Sequence, residues 1–165
     1  MNTVFLSIVN KIVHAFPATK LWGIKRFLFR LCGIKIGSNV KICSSVTFLG
    51  DSDIFIGDNV WIGHETMIVA SAPVNIGDNV NIAPRCYIGT GTHDIDIMAP
   101  SVAGKGKSYP ISIEEGVWCC THVVVLPNTT IGGHSILAAG AVVNKSIPSG
   151  QLWGGVPAKF IRSLD

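Results

Sequence analysis

The chain has 165 residues, 48% hydrophobic and 14% charged, with 18 glycines and 8 prolines; this excludes a disordered segment and holds too many turn formers for a helix bundle. The formal charge of +3 is unevenly placed: residues 1–33 hold five of the 13 Lys and Arg and none of the 10 acids, leaving the remainder near −2, so no basic face for nucleic acid is expected beyond that segment. Five cysteines (Cys32, Cys43, Cys86, Cys119, Cys120) form no CxxC pair and have no ligand-like His spacing, which points to reduced thiols and no metal site.

Along residues 1–33, Val4, Phe5, Ile8, Val9, Ile12, Val13 and Phe16 recur at helical spacing until Pro17. The apolar run at Val4–Val9 is short and broken by Asn10 and Lys11, unlike a secretion signal, and no stretch is long enough to span a bilayer. A cytoplasmic protein is expected. A second short helix follows, in which Leu21, Ile24, Leu28 and Leu31 make an apolar stripe flanked by Lys20, Lys25, Arg26 and Arg30. This segment suits peripheral contact with an anionic membrane face, or packing over the open end of the next domain or on a neighbouring subunit.

From residue 34 to 165 the pattern is a repeat. Ile36-Gly-Ser-Asn-Val40, Ile56-Gly-Asp-Asn-Val60 and Ile76-Gly-Asp-Asn-Val80 recur every 20 residues, and within each unit an apolar residue returns every six: Ile36, Ile42, Phe48; Ile56, Ile62, Ile68; Ile76, Ile82, Ile88. The series resumes at Ile113, Cys119, Val125, Ile131, Leu137 and Val143. Three hexads close one triangular coil, so five coils are expected, their like residues stacked as ladders in a dry core. Val40, Val60, Val80, Val117 and Val123 read as a second ladder. Asn39, Asn59 and Asn79 fall at corners that ask for positive φ. The fold class is all-β, a parallel β-helix with a short helical segment before it. A loop at 89–109 interrupts the array, and residues 144–165 read as a C-terminal tail.

The hexads, Thr92-His93-Asp94 and the ending Gly154-Gly-Val-Pro-Ala-Lys159 together resemble the hexapeptide-repeat acyltransferases. Within them the chain is most similar to the sugar O-acetyltransferase branch, the capsule, colanic-acid and maltose or galactoside type. Arg26-Phe-Leu-Phe-Arg-Leu-Cys-Gly33 is similar to the entry of the capsule and colanic-acid enzymes. The resemblance implies a left-handed coil, against the usual right-handed crossover, a homotrimer, and transfer of an acetyl group from acetyl-CoA to a sugar hydroxyl, here of a cell-surface polysaccharide or its precursor.

Transfer to a hydroxyl needs a base that takes the proton as oxygen attacks the thioester, a task suited to imidazole. His93, in the interrupting loop, matches the family's catalytic histidine. Asp94, Asp96 or a backbone carbonyl could orient its ring, and Asp94 also stands as a candidate substrate contact. Galactoside-type members carry an Asn and an Asp for the sugar; those positions fall on Gly63 and Ser71, so Glu65 is the alternative acceptor contact. By the same resemblance Trp118, Thr121, Ala139 and Gly140 line the path of the acetyl-CoA arm, and Lys159 and Arg162 meet its phosphates. His64, His122 and His134 read as surface residues in different phases of the coil. Two other functions share the fold: a γ-type carbonic anhydrase, which needs a second histidine where Met98 stands, and a non-catalytic assembly solenoid.

Overall fold

The computed structural model describes residues 2–164. From Ile34 the hexads wind into a parallel β-solenoid of triangular section, in which each coil gives one short strand to each of three sheets. The first face stacks Lys35–Ile36, Ile54–Ile56, Val74–Ile76, Ile111–Ile113 and Thr129–Ile131. The second stacks Lys41–Ile42, Trp61–Ile62, Asn81–Ile82, Trp118–Cys119, Ile136–Leu137 and Gln151–Gly154. The third stacks Thr47–Gly50, Met67–Ala70, Tyr87–Gly89, Val124–Val125 and Val142–Val143. The first corner joins the first and second faces, the second corner the second and third, and the third corner leads on to the next coil.

The ladders follow the six-residue period. Ile36, Ile56, Ile76, Ile113 and Ile131 pair in register on the first face; Ile42, Ile62, Ile82, Cys119 and Leu137 do so on the second. Every one is buried. Val123 does not continue the Val40, Val60, Val80, Val117 ladder of the first corner. There Trp118 N donates to Ser135 O, so Ser135 is the next member, whereas Tyr87 N donates to Val123 O at the second corner. Val123 is six residues after Val117 and so lies one face further round the same coil, whereas the next rung of the ladder is a full coil away.

The solenoid also runs further than five coils. Ile147 bridges to Ile131 on the first face, and Gln151–Gly154 adds a strand beneath Ile136–Leu137 with Trp153 under Leu137. Residues 147–154 therefore extend the wall rather than form a tail. The chain then reverses, and Lys159–Ser163 pairs antiparallel with Gln151–Gly154, closing that sheet edge.

The other end is closed by α1 (Thr3–His14), whose N-cap is Asn2 accepting from Phe5 N at 3.1 Å, and α2 (Trp22–Leu31). In the wall, N–H groups of one coil donate to carbonyls of the next: Gly37 to Ile56, Lys41 to Val60, Cys43 to Ile62, Thr47 to Thr66. The matching carbonyls of the first coil have no coil before them, and an unpaired buried carbonyl is unfavourable. Side chains of the helices take them one by one. Arg30 donates to Ile36 O at 3.0 and 2.6 Å, Arg26 to Val40 O at 2.9 Å, and Lys25 to Ile42 O at 3.2 Å. His14 Nε2 meets Val46 O at 3.2 Å, and the Asn10 amide donates to Phe48 O at 2.7 Å and accepts from Phe48 N at 3.3 Å.

This edge accounts for much of the basic character of residues 1–33. Of the two sequence readings of this segment, packing over the open end of the β domain is the one the structure shows, and Lys25, beside the apolar stripe, is fully buried. Burial pushes its ammonium pKa down, and Pro17 O, Ala18 O and Ile42 O hold it at 2.9–3.2 Å. The inner faces of both helices join the core through Leu6, Val9, Val13 and Phe29, whose ring meets Phe48 edge-on at 4.8 Å. Their outer faces carry Val4, Ile8 and Ile12, and Ile24, Phe27 and Leu31, all exposed.

Candidate active site

The interruption of the hexads is a β-hairpin projecting from the third corner between the third and fourth coils. Gly91–Ile95 pairs antiparallel with Ala103–Ser108. Thr90 fixes its base: the buried hydroxyl donates to Val69 O and accepts from Ser71 N and Ala72 N at 2.8–3.1 Å, and its carbonyl accepts from Tyr109 N. His93 lies exposed on the first strand, opposite Gly106. A Cβ at position 106 would stand 3.8 Å from His93 Nε2, so the ring lies over the partner strand where no side chain opposes it.

Neither nearby carboxylate is described as a partner of that ring. Asp94 pairs with Lys107 at 2.6 Å, which holds the Lys107 pKa above its ordinary value. Asp96 accepts from Met98 N and Ala99 N at 3.1 and 3.2 Å. Both acids brace the hairpin. Its tip shows Ile95, Ile97, Met98 and Val102 to solvent, each more than half exposed.

The second corner carries a different set. Ser45, Glu65, Arg85, His122 and Gly140 occupy successive coils: Glu65 N donates to Ser45 Oγ, Arg85 N to His64 O, His122 N to Pro84 O and Gly140 N to Thr121 O. Glu65, Arg85, His122 and Gly140 all have positive φ, from 57 to 73°. Arg85 Nε donates to Glu65 Oε2 at 2.8 Å, and this guanidinium holds the Glu65 carboxyl below its usual pKa, with His64 and His122 adding to the effect. Thr121 Oγ1 donates to Pro84 O at 2.8 Å and meets His122 Nδ1 at 3.0 Å. His64 and His122 thus share this corner, contrary to their sequence reading as residues of unrelated phase. Only His134 is elsewhere, at the first corner with φ 55°, stacked where a side chain on Gly116 would collide with it. Among the described residues, no three or more His, Cys, Asp or Glu side chains gather as a metal ion would require.

Trp118 is 49% exposed on the second face and lines an open groove with Asn79, Asn81, Gly116 and Val117. Thr121 follows it at the second corner, beside Ala139 and Gly140, and Gly140 faces open space. Lys159 and Arg162 are exposed on the closing strand, opposite Gly154 and Leu152. These six residues form one strip along the second face and its corner. His93 and Asp94 do not join it: they stand at the third corner, with the whole third face between. Arg85 was missed from sequence, although the 20-residue period that aligns Ile56 with Ile76 also aligns Glu65 with Arg85.

Comparison with known proteins gives the lineage. No family model matches the chain. The Escherichia coli K12 protein WcaF, described as a colanic acid biosynthesis acetyltransferase, is 32% identical over 154 residues, covering 93% of this chain and 82% of that protein. The galactoside O-acetyltransferase of the same strain is 42% identical over 62 residues, 38% of this chain and 30% of that enzyme; an acetyltransferase of Schizosaccharomyces pombe is 42% identical over 84 residues, 51% of this chain and 40% of that protein. The chain thus matches less than half the length of these last two. Among solved structures, a hexapeptide-repeat acetyltransferase of Vibrio cholerae O1 biovar eltor in complex with acetyl-CoA superposes at a TM-score of 0.84 with 27% identity, over 99% of this chain and 87% of that one. A galactoside acetyltransferase bound to coenzyme A gives 0.85 with 27% identity, over 99% and 80%. With a relative matched over most of its length and the hexad solenoid in agreement, the chain belongs to the hexapeptide-repeat acetyltransferases, in their sugar O-acetyltransferase branch.

Proposed function

We propose that the protein transfers the acetyl group of acetyl-CoA to a sugar hydroxyl of a cell-surface polysaccharide or its precursor, in the cytoplasm, where acetyl-CoA is held. The observation that carries this is the hairpin: it interrupts the hexad array at one place only to present an exposed histidine, His93, over a glycine. In the reaction the imidazole takes the hydroxyl proton as the sugar oxygen attacks the thioester carbonyl. The C–S bond then breaks, and the proton passes to the departing thiolate, leaving the sugar ester and coenzyme A. The strip from Trp118 to Arg162 runs across three strand spacings, about 14 Å, and suits an extended pantetheine arm with Lys159 and Arg162 at its phosphate end.

Since a whole face separates that strip from His93 in one protomer, the complete site belongs to two. The outward residues of the third face form a largely apolar ladder, Thr47, Met67, Tyr87, Val124 and Val142, whereas Lys35, Phe55, Asn75, Ser112 and Thr130 make a more polar one on the first. A homotrimer with its third faces around the axis sets the third corner of one copy beside the second corner of the next, and His93 then meets the neighbour's Thr121 and Gly140. Any lipid contact through residues 1–33 runs through Val4, Ile8, Ile12, Ile24, Phe27 and Leu31, because Lys25, Arg26 and Arg30 are turned to the solenoid edge. The functional test is thiol release from acetyl-CoA against a panel of free, nucleotide-linked and lipid-linked sugars: release that depends on a sugar and is lost in His93→Ala supports the reading, and release indifferent to both overturns it.

A further inference from the structure

We propose that the Glu65–Arg85 pair at the second corner is the element that recognises the acceptor, reading two neighbouring hydroxyls of a sugar ring. This rests on the acetyl-transfer reading above for its placement. The pair is exposed, 57% and 58% for the two side chains, and an ion pair in that setting contributes little to stability. Yet both residues sit at φ of 57 and 63°, a backbone conformation unfavourable to any residue with a Cβ other than Asn or Asp. At the first corner the same demand is met by Asn39, Asn59 and Asn79. Retaining Glu and Arg where Asn would relieve the strain points to work done by the side chains themselves.

The geometry suits a sugar. The contact runs from Arg85 Nε to Glu65 Oε2, so Oε1 and the two Nη groups are the acceptor and donors the pair offers to a ligand. Adjacent hydroxyls, each both donor and acceptor, match such a set. The position suits it as well. Arg85 lies two coils above Gly140 on the same edge, about 10 Å away, next to the residues proposed to meet the acyl end of the donor. Arg85 also holds the Glu65 carboxylate oriented through its Nε while its Nη groups face the ligand.

The test is binding of methyl β-galactopyranoside, methyl α-glucopyranoside and methyl α-fucopyranoside to the full chain in the presence of coenzyme A, followed by saturation-transfer NMR, with thiol release from acetyl-CoA measured in parallel. At least one glycoside should bind the wild type, and Glu65→Asn and Arg85→Met should each weaken it by about tenfold or more. Arg85→Lys should recover part of the loss. Glu65→Asn removes the carboxylate while installing a residue suited to positive φ, so lost binding at an unchanged or raised melting temperature is not a folding defect. Binding by Glu65→Asn equal to wild type, or no glycoside bound by the wild type, would overturn the proposal. Glycoside bound through the pair without any thiol release would instead overturn acetyl transfer and leave the recognition standing.

Discussion

The first and second corners of the solenoid solve one backbone problem in two ways. At the first, Asn39, Asn59 and Asn79 take the positive φ and chain their amides together, Asn39 Nδ2 to Asn59 Oδ1 at 3.0 Å, Asn59 Nδ2 to Asn79 Oδ1 at 3.2 Å, and Asn79 Nδ2 to Glu115 Oε1 at 3.2 Å. This corner is built for the wall, using the residue that tolerates left-handed backbone and satisfying its polar atoms in a row. At the second, Glu65 and Arg85 accept the same φ with side chains that fit it less well, and their charges turn outward; a histidine takes it at both corners, His134 at the first and His122 at the second. Substitutions in the Asn row therefore test stability, and those at the Glu65–Arg85 pair test the recognition proposed for it.

The largest effect expected is on rate: His93→Ala should lower turnover by about 10²–10⁴-fold with the melting temperature and acetyl-CoA affinity nearly unchanged, measured by steady-state kinetics and thermal unfolding. A fall in stability of similar weight would place His93 with the wall and break the comparison. Next is the capped edge, where Lys25→Met leaves Pro17, Ala18 and Ile42 carbonyls without their ammonium donor and should destabilise by about 2–4 kcal/mol in denaturant unfolding. Asn59→Val, a β-branched residue at φ 57°, should cost about 1–2 kcal/mol with acceptor affinity intact, the mirror image of Glu65→Asn. The smallest effect concerns pH. Because Arg85 lowers the Glu65 pKa on folding, the pair's contribution is present above the ordinary carboxylate range and is lost as pH falls from there through the lowered folded-state pKa, so the melting-temperature difference between wild type and Glu65→Gln should vanish in acid. Vesicle binding sharpens the picture of the N-terminal end: with Lys25, Arg26 and Arg30 engaged in the fold, any association with anionic vesicles should depend on the apolar outer faces, Phe27→Ser weakening it more than added salt does.

The period of six was open to reading because the residues it selects are the buried ones: a ladder position excludes water and admits only apolar side chains, so the fold is written along the chain at fixed spacing. The three Asn corners were visible for the same reason, a local φ that few residues accept. The phase after the hairpin was kept, but Val123, six residues after Val117, lies one face on in the same coil rather than on the next rung, and the sixth strand of the second face was missed because Ile147 follows Val143 at a spacing of four. Glu65 and Arg85 are a mixed case. Their spacing matched the coil, but exposed polar residues carry no burial pattern to draw attention to them.

What the sequence by itself determined is the solenoid, its ladders, and the loop that sets His93 apart, since each depends on local conformation or burial at a regular interval. What only the tertiary structure decided is where charges go. Lys25, Arg26 and Arg30 suit in sequence either a lipid flank or a cap over the solenoid's end; the first coil presents a row of unpaired carbonyls that no local rule announces, and the basic side chains turn inward to meet it. Asp94 and Asp96 likewise brace their own hairpin. The partner of a charged side chain is whichever group the folded chain leaves unsatisfied within reach, and that is fixed by distance in space rather than by position along the sequence.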